Sequence, residues 1–335
     1  MERHILRPGP NDHGKRLDRI LRVCFPAAPL SAIFAALRKG EVRVNGKKAR
    51  RDYRVTEADE ISVKKIAPFF RYEAGSPGSL SIEESENPGE KTISAESRAQ
   101  KLSSTNFFTK YIIFEDEHFL VLNKPWGVLS HGPASLAEDV AAYLAPVLPP
   151  SLAFSPGPLH RLDRNTTGII FFSKSLGGAR FFSSALRAGT IRKTYYALIE
   201  GRLETRQTWT DTLVRDTVAR VTRSRAGTAA GKTAVSEVRP IAPSRDYTLC
   251  EITIQTGRTH QIRAQGAARG HPLAADRKYG GRPLAGIPHG AYILHAAELL
   301  LPRASLSAEV QPAPLLVRAP LPEDAKSFLS IYMSK

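Results

Sequence analysis

The residues best placed for chemistry lie in His160-Arg161-Leu162-Asp163-Arg164-Asn165-Thr166-Thr167-Gly168, followed at once by the apolar run Ile169-Ile170-Phe171-Phe172. A carboxylate has an arginine on either side, and a Thr-Thr-Gly turn closes the segment. The apolar run reads as a buried strand, so the turn presents Asp163 at the edge of a sheet and not inside it. Nearby cations favour the ionised carboxylate. Such an acid on a very basic chain suggests a nucleophile or charge stabiliser acting on RNA. Standing alone the motif says less, because an aspartate capping a turn has the same look.

Four further segments carry reactive groups. Asn123-Lys124-Pro125-Trp126-Gly127-Val128 follows a strand and leads into the turn-rich Ser130-His131-Gly132-Pro133. Arg192-Lys193-Thr194-Tyr195-Tyr196-Ala197-Leu198 brings a cation and a phenol to the start of a strand. Strand neighbours point to opposite faces, so only one of Tyr195 and Tyr196 can face a given site. Thr256-Gly257-Arg258-Thr259-His260-Gln261-Ile262-Arg263 gathers donors behind a glycine turn and then turns apolar enough for a helix. Asp276-Arg277-Lys278-Tyr279-Gly280 precedes Leu294-His295-Ala296. The histidines are scattered among turns, without the spacing of a metal centre.

The elements that must position these groups begin near residue 108. Tyr111–Phe114 and Phe119–Leu122 bracket a turn containing Asp116 and read as paired strands. Tyr195–Ile199 and Leu249–Ile254 add more strand material, with shorter helical patterns between them. Strands dominate without a regular βαβ alternation. The expected fold is therefore α+β, a mixed and largely antiparallel sheet with a central cleft.

The chain has 335 residues and a net charge of +16, enough length for about two domains and a charge suited to a polyanion. No apolar run approaches the roughly 20 residues of a membrane span, and the N-terminus lacks the apolar core of a signal peptide. Cys24 and Cys250 are the only cysteines, far apart. They fit a reduced, cytoplasmic setting better than a zinc site or disulfide framework.

Residues 1–65 form a small basic α/β module in this reading. Leu17, Ile20, Leu21 and Phe25 keep helical spacing, and Ser31 caps a second helix carrying Ile33, Phe34 and Leu37. Gly40 ends that helix, Val42, Val44 and Asn45-Gly46 mark a hairpin, and Val55 and Ile61-Ser62-Val63 supply more strand. Arg38, Lys39, Arg43, Lys47, Lys48, Arg50 and Arg51 crowd together as a stripe that would hold phosphates. A solvated charged face is the plainer alternative. The module resembles the S-four-type RNA-binding domain through Arg16-Leu17-Asp18 and Arg38-Lys39-Gly40-Glu41-Val42-Arg43-Val44-Asn45-Gly46. Residues 66–107, with Gly75-Ser76-Pro77-Gly78 and Glu83-Glu84-Ser85-Glu86, read as a flexible linker. The Arg-Leu-Asp at 16–18 is a decoy, since it lies in a helical pattern without the Thr-Thr-Gly turn.

From about residue 108 onward, these segments in this order resemble the RluA-type pseudouridine synthases, which isomerise uridine in structured RNA. The N-terminal module resembles the same family's RNA-binding extension and leans toward the RluC-like branch, which modifies large-subunit rRNA. Two departures are visible: Thr166-Thr167-Gly168 stands where Thr-Ser-Gly is common, and Ala275-Asp276 where Gly-Asp is usual.

The resemblance implies that Asp163 acts at the ribose, that Tyr195 stacks on the base and helps move a proton, and that Arg263 pairs with the carboxylate. It implies that Arg161 occupies the gap left by an extruded uridine, whose extrusion costs a few kcal/mol. His160 is expected to orient its loop. Isomerisation demands no cofactor and no metal. The expected partner is structured RNA, bound by a monomer. Two rivals stand beside this reading: a non-catalytic ribosome-assembly factor that kept the fold, and a different RNA enzyme such as a hydrolase or methyltransferase. The second lacks a metal-ligand cluster and a Gly-rich cofactor loop.

Overall fold

The computed structural model describes residues 3–64, 108–216, 218–219, 221–224, 231–284, 287, 290–302 and 314–333. The expected linker, 66–107, lies outside the described residues. Two compact units divide the chain: one takes residues 1–105 with 140–157 and 173–179, the other 106–139, 158–172 and 180–335.

In the first unit, β1 (Arg3–Leu6), β2 (Val42–Val44), β3 (Lys47–Lys48) and β4 (Ile61–Lys64) make an antiparallel sheet in the order β1-β4-β2-β3. Helices α1 (Leu17–Cys24) and α2 (Leu30–Lys39) bury Leu17, Ile20, Leu21 and Ile33, Ala36, Leu37, the stripe their helical spacing predicts. Gly40 ends α2 in the left-handed region, and Asn45 and Gly46 turn the hairpin with φ of 50° and 74°. Ser31 does not cap α2. Pro29 holds the N-cap position in an extended conformation, so the helix starts at Leu30 and Ser31 falls inside its first turn. Strand β1 was not expected; it is short, shows little alternation, and pairs with β4 at the far end of the module. Leu152 joins this unit's core, and the buried Asp12 accepts hydrogen bonds from Ser151 Oγ (2.8 Å) and the amides of Leu152 (2.7 Å) and Ala153 (3.0 Å).

The rest of the chain supplies β5 (Ile112–Glu115), β6 (Phe119–Lys124), α3 (Leu136–Leu144), β7 (Gly157–Pro158), β8 (Thr167–Ser173), α4 (Leu176–Arg187), β9 (Arg192–Glu200), β10 (Gln207–Asp216), β11 (Val221–Ser224), β12 (Lys232–Pro243), β13 (Tyr247–Ile254), α5 (Gln261–Ala268), β14 (Leu294–Leu301), β15 (Leu315–Arg318) and α6 (Glu323–Met333). The sheet runs β11-β10-β12-β13-β9-β14-β8-β6-β5, with β15 on β14 and β7 on β8. Most of its ladders are antiparallel; β8 on β14 is parallel. The expected mixed sheet is thus present, and every residue of β8 is buried, as a continuous apolar run requires.

The meeting of β8 and β14 needs a glycine. Gly168 has φ of 104°, and a Cβ there would lie 2.2 Å from the Ala296 carbonyl oxygen. Only a residue without a side chain lets the two strands meet where Asp163 is presented. Among the described residues no helix is long and apolar enough to cross a membrane.

Candidate active site

Asp163 leads into β8 through a turn closed by the Thr166 amide on the Asp163 carbonyl, at 3.1 Å. Its side chain is 25% exposed, at the floor of a cleft of about 1290 Å³. Arg263, on the inner face of α5, donates to Asp163 Oδ2 at 3.0 Å. The Tyr292 hydroxyl reaches the same oxygen at 3.4 Å, and His260 Nε2 stands 3.6 Å from it. Three groups therefore converge on Oδ2. Among the described residues nothing hydrogen-bonds Oδ1.

Arg263 is itself held from behind. Asp276 accepts from Nε at 2.7 Å and from Nη2 at 2.9 Å, and the guanidinium lies between the rings of Tyr279 (4.8 Å) and Tyr292 (4.4 Å). Burial opposes the charge on Arg263; the hydrogen bonds and charge of Asp276 outweigh it and raise its pKa. The residue before Asp276 is Ala275, at φ of 68°. The alanine that departs from the usual glycine thus sits in a left-handed conformation that favours glycine.

His260 has φ of 53° and accepts or donates at Nδ1 to the Tyr279 hydroxyl, 2.8 Å away. That hydroxyl accepts the Thr222 amide at 2.8 Å, which frees its own proton for Nδ1 and leaves the Nε2 proton facing Asp163. Burial holds the imidazole below its usual range.

On β9, Tyr195 is buried and lines the cleft, whereas Tyr196 is half-buried and does not. Burial first, and then the charge of Asp163, push the Tyr195 phenol above its ordinary range. Lys124, at the end of β6, is fully buried and donates to the carbonyls of Arg164 (2.7 Å) and Pro125 (2.9 Å). It ties the turn after Asp163 to a neighbouring strand. Burial lowers its pKa to about 7, with Asp163 pulling the other way.

The flanking arginines separate in role. Arg164 donates to the Gly127 carbonyl at 2.8 Å, a structural bond. Arg161 is exposed on the cleft wall, and among the described residues it makes no hydrogen bond or ion pair. His160 stacks on Phe182 (5.8 Å, 8° between planes) and accepts the Phe171 amide at 3.2 Å, so it orients the loop. Thr167 and His295 join β8 to β14 through a 2.8 Å hydrogen bond.

Sequence reasoning thus brought Asp163, Tyr195 and Arg263 forward, and all three line one cleft. It missed Asp276, Tyr292, His260 and Lys124 as parts of the arrangement. The signals were present: a lysine at the end of an apolar strand, and an Arg-binding acid inside a quoted motif. In the first unit, Arg38, Lys39, Arg43, Lys47, Lys48, Arg50 and Arg51 are all exposed. Arg50 pairs with Asp52 at 3.6 Å, and Arg51 lies 5.4 Å from the Phe34 ring. The decoy Asp18 is engaged by its own Arg16 at 2.7 Å.

The family model described as RNA pseudouridylate synthase matches residues 118–268, and the S4 domain model matches residues 15–61. A Vibrio cholerae protein named ribosomal large subunit pseudouridine synthase C is 31% identical over 80% of this chain and 78% of its own length. The Escherichia coli protein of the same name is 30% identical over 86% of this chain and 85% of its own. Among solved structures, human RNA pseudouridylate synthase domain containing 4 superposes with a TM-score of 0.57, over 70% of this chain and 97% of that one, at 21% identity. That likeness concerns the fold. The identity spread along most of the Vibrio and Escherichia chains, with the family model matched over residues 118–268, shows that this chain belongs to the RNA pseudouridylate synthase family.

Proposed function

We propose that this chain isomerises uridine to pseudouridine in large-subunit ribosomal RNA, as a cytoplasmic monomer contributing to ribosome biogenesis. One observation carries the chemistry: Asp163 lines the cleft with Oδ2 occupied by donors, while among the described residues nothing hydrogen-bonds Oδ1. The reaction breaks the bond from ribose C1′ to N1, turns the uracil and joins C1′ to C5. Positive charge develops at C1′ as N1 departs, and Oδ1 meets it as nucleophile or as charge partner. Arg263, fixed by Asp276, holds the carboxylate in place through Oδ2.

Tyr195 offers its ring to the extruded base. A phenol held protonated is no resting base, so the hydroxyl can take a proton only while passing its own on. Arg161 has the exposure and the free guanidinium needed to fill the gap left in the RNA stack. The exposed stripe on the first unit, from Arg38 to Arg51, would hold phosphates and place the chain on its RNA. The names of the Vibrio and Escherichia relatives favour large-subunit RNA over other structured RNA.

The test is pseudouridine mapping across total RNA from cells with and without the protein, backed by incubation of purified protein with large-subunit rRNA. Loss of one or a few large-subunit sites is the expected result. An unchanged map, with no product in vitro, would leave only a non-catalytic assembly role, and free uracil among the products would mean hydrolysis.

A further inference from the structure

Lys193 lies two residues before Tyr195 on β9, so both project from one face of the strand, about 7 Å apart along it. Both line the cleft. Ile191, two residues before Lys193, and Ile254, its register partner on β13, line the cleft as well. Among the described residues no carboxylate pairs with its ammonium and no hydrogen bond reaches it. A half-buried cation without a partner is costly unless something else brings the missing charge.

The charge balance at the cleft floor shows what could bring it. Arg263 faces two carboxylates, Asp163 and Asp276, so this group carries a net negative charge. When C1′–N1 breaks, the electron pair leaves with the uracil, whose charge spreads over N1, O2 and O4. No proton needs to move in that step; later, the proton lost from C5 balances the one gained at N1. The detached base is thus an anion beside a trio of side chains that is already net negative, and Arg263 is spent on the carboxylates.

Resting on the pseudouridine synthase reading, we propose that Lys193 is a catalytic residue whose ammonium accepts the negative charge of the detached uracil on the wall it shares with Tyr195. A donor aimed at charge that appears only during reaction lowers the barrier without tightening ground-state binding. Burial supports the assignment by bringing the ammonium's pKa down to about 8, since a desolvated cation interacts more strongly with an incoming anion. Besides Lys193, the ionisable groups lining the same cleft are Asp163 and Asp276, the histidines His131, His160 and His260, the phenols Tyr195 and Tyr292, and the cations Arg161, Arg164, Arg187, Arg215, Arg258, Arg263, Arg277 and Lys278. His160 and His260 are held below their usual range by burial, so neither titrates near 8.

The experiment compares the full-length wild-type, K193M and K193R proteins on a large-subunit rRNA transcript, measuring pseudouridine formation at saturating and limiting RNA from pH 6 to 10. K193M should lower the saturating rate by about 100-fold or more, the scale seen when one donor to a developing anion is removed. Its half-saturating RNA concentration should stay within about three-fold of wild type, because ground-state binding is not this residue's task. The wild-type rate should fall as pH rises through about 8. That limb should vanish in K193M and move upward in K193R, which should recover part of the rate. K193M at near wild-type rate would overturn the proposal. So would a loss confined to half-saturation, which would make Lys193 a backbone phosphate ligand. Should K193M fail to fold, K193R decides, and a limb left unmoved near 8 overturns the assignment. A wild-type protein that makes no pseudouridine sinks the parent reading, whereas an unimpaired K193M sinks this one alone.

Discussion

Asp276 grips Arg263 with both carboxylate oxygens, at 2.7 and 2.9 Å, while the third nitrogen of the same guanidinium reaches Asp163 at 3.0 Å. Asp276 is 1% exposed and Arg263 7%, so the grip operates away from water. A planar fork can serve two acids at once; an ammonium cannot.

Removing one partner of a buried pair leaves an uncompensated charge and commonly costs about 3–5 kcal/mol. Asp276→Ala should therefore lower the urea midpoint markedly, and Arg263→Lys should fold yet lose most of its activity. An Asp276→Ala protein as stable as wild type would show that Asp163 alone satisfies the arginine.

Asp163→Asn preserves shape and removes charge. It should abolish pseudouridine formation while RNA affinity stays within a few-fold, because the basic surfaces are untouched. Product formation at a near wild-type rate in a discontinuous assay would remove Asp163 from the chemistry.

Gly168→Ala should prevent folding of the sheet centre, because its Cβ would sit 2.2 Å from backbone oxygen and the φ of 104° is itself unfavourable. Gly177→Ala, with nothing closer than the Ser175 hydroxyl at 3.8 Å, is the control and should be neutral or gain about 0.5–1 kcal/mol. Soluble expression and circular dichroism separate the two.

The basic stripe is best tested by point changes. Deleting residues 1–65 would expose Leu152 and strand the groups that Asp12 binds, so truncation would confuse stability with binding. Lys39→Gln, Lys47→Gln and Lys48→Gln together should flatten the slope of log affinity against log salt by about one unit for each phosphate no longer neutralised. An unchanged slope would mean that this face does not touch RNA.

Lys124 makes stability depend on pH with a definite sign. Its pKa is about 7 when folded and near 10.5 when free, so between those values the unfolded chain holds the extra proton. Stability contributed through this group therefore rises with pH from about 7 toward 10.5. The wild-type urea midpoint, minus that of Lys124→Met, should climb across that window; a flat difference would show that the lysine is charged in the fold.

Much of the fold was legible because local pattern and burial coincide: α1 and α2 by their spacing, the Asn45-Gly46 hairpin by its turn, and β8 by its apolar run. Strand β1 was not legible, since its residues take their meaning only from β4. In the cleft, Asp163, Tyr195 and Arg263 stand in dense motifs where residue types already imply chemistry. Tyr292 lies in Ala291-Tyr292-Ile293, which reads as ordinary core, and its hydroxyl is informative only once β14 lies beside β8. Lys124 was quoted without a role because the carbonyl it binds belongs to Arg164, 40 residues away. His260 is placed by a left-handed backbone that residue type does not announce.

The donors on Asp163 lie 100 and 129 residues further along the chain, on α5 and just ahead of β14. During translation at about 5–20 residues per second, Asp163 leaves the ribosome roughly 6–26 s before Tyr292 does. β9, β13 and β14 must all emerge before the site can close. Translation products cut short before β14 are therefore chemically silent, however much of the remaining chain has folded.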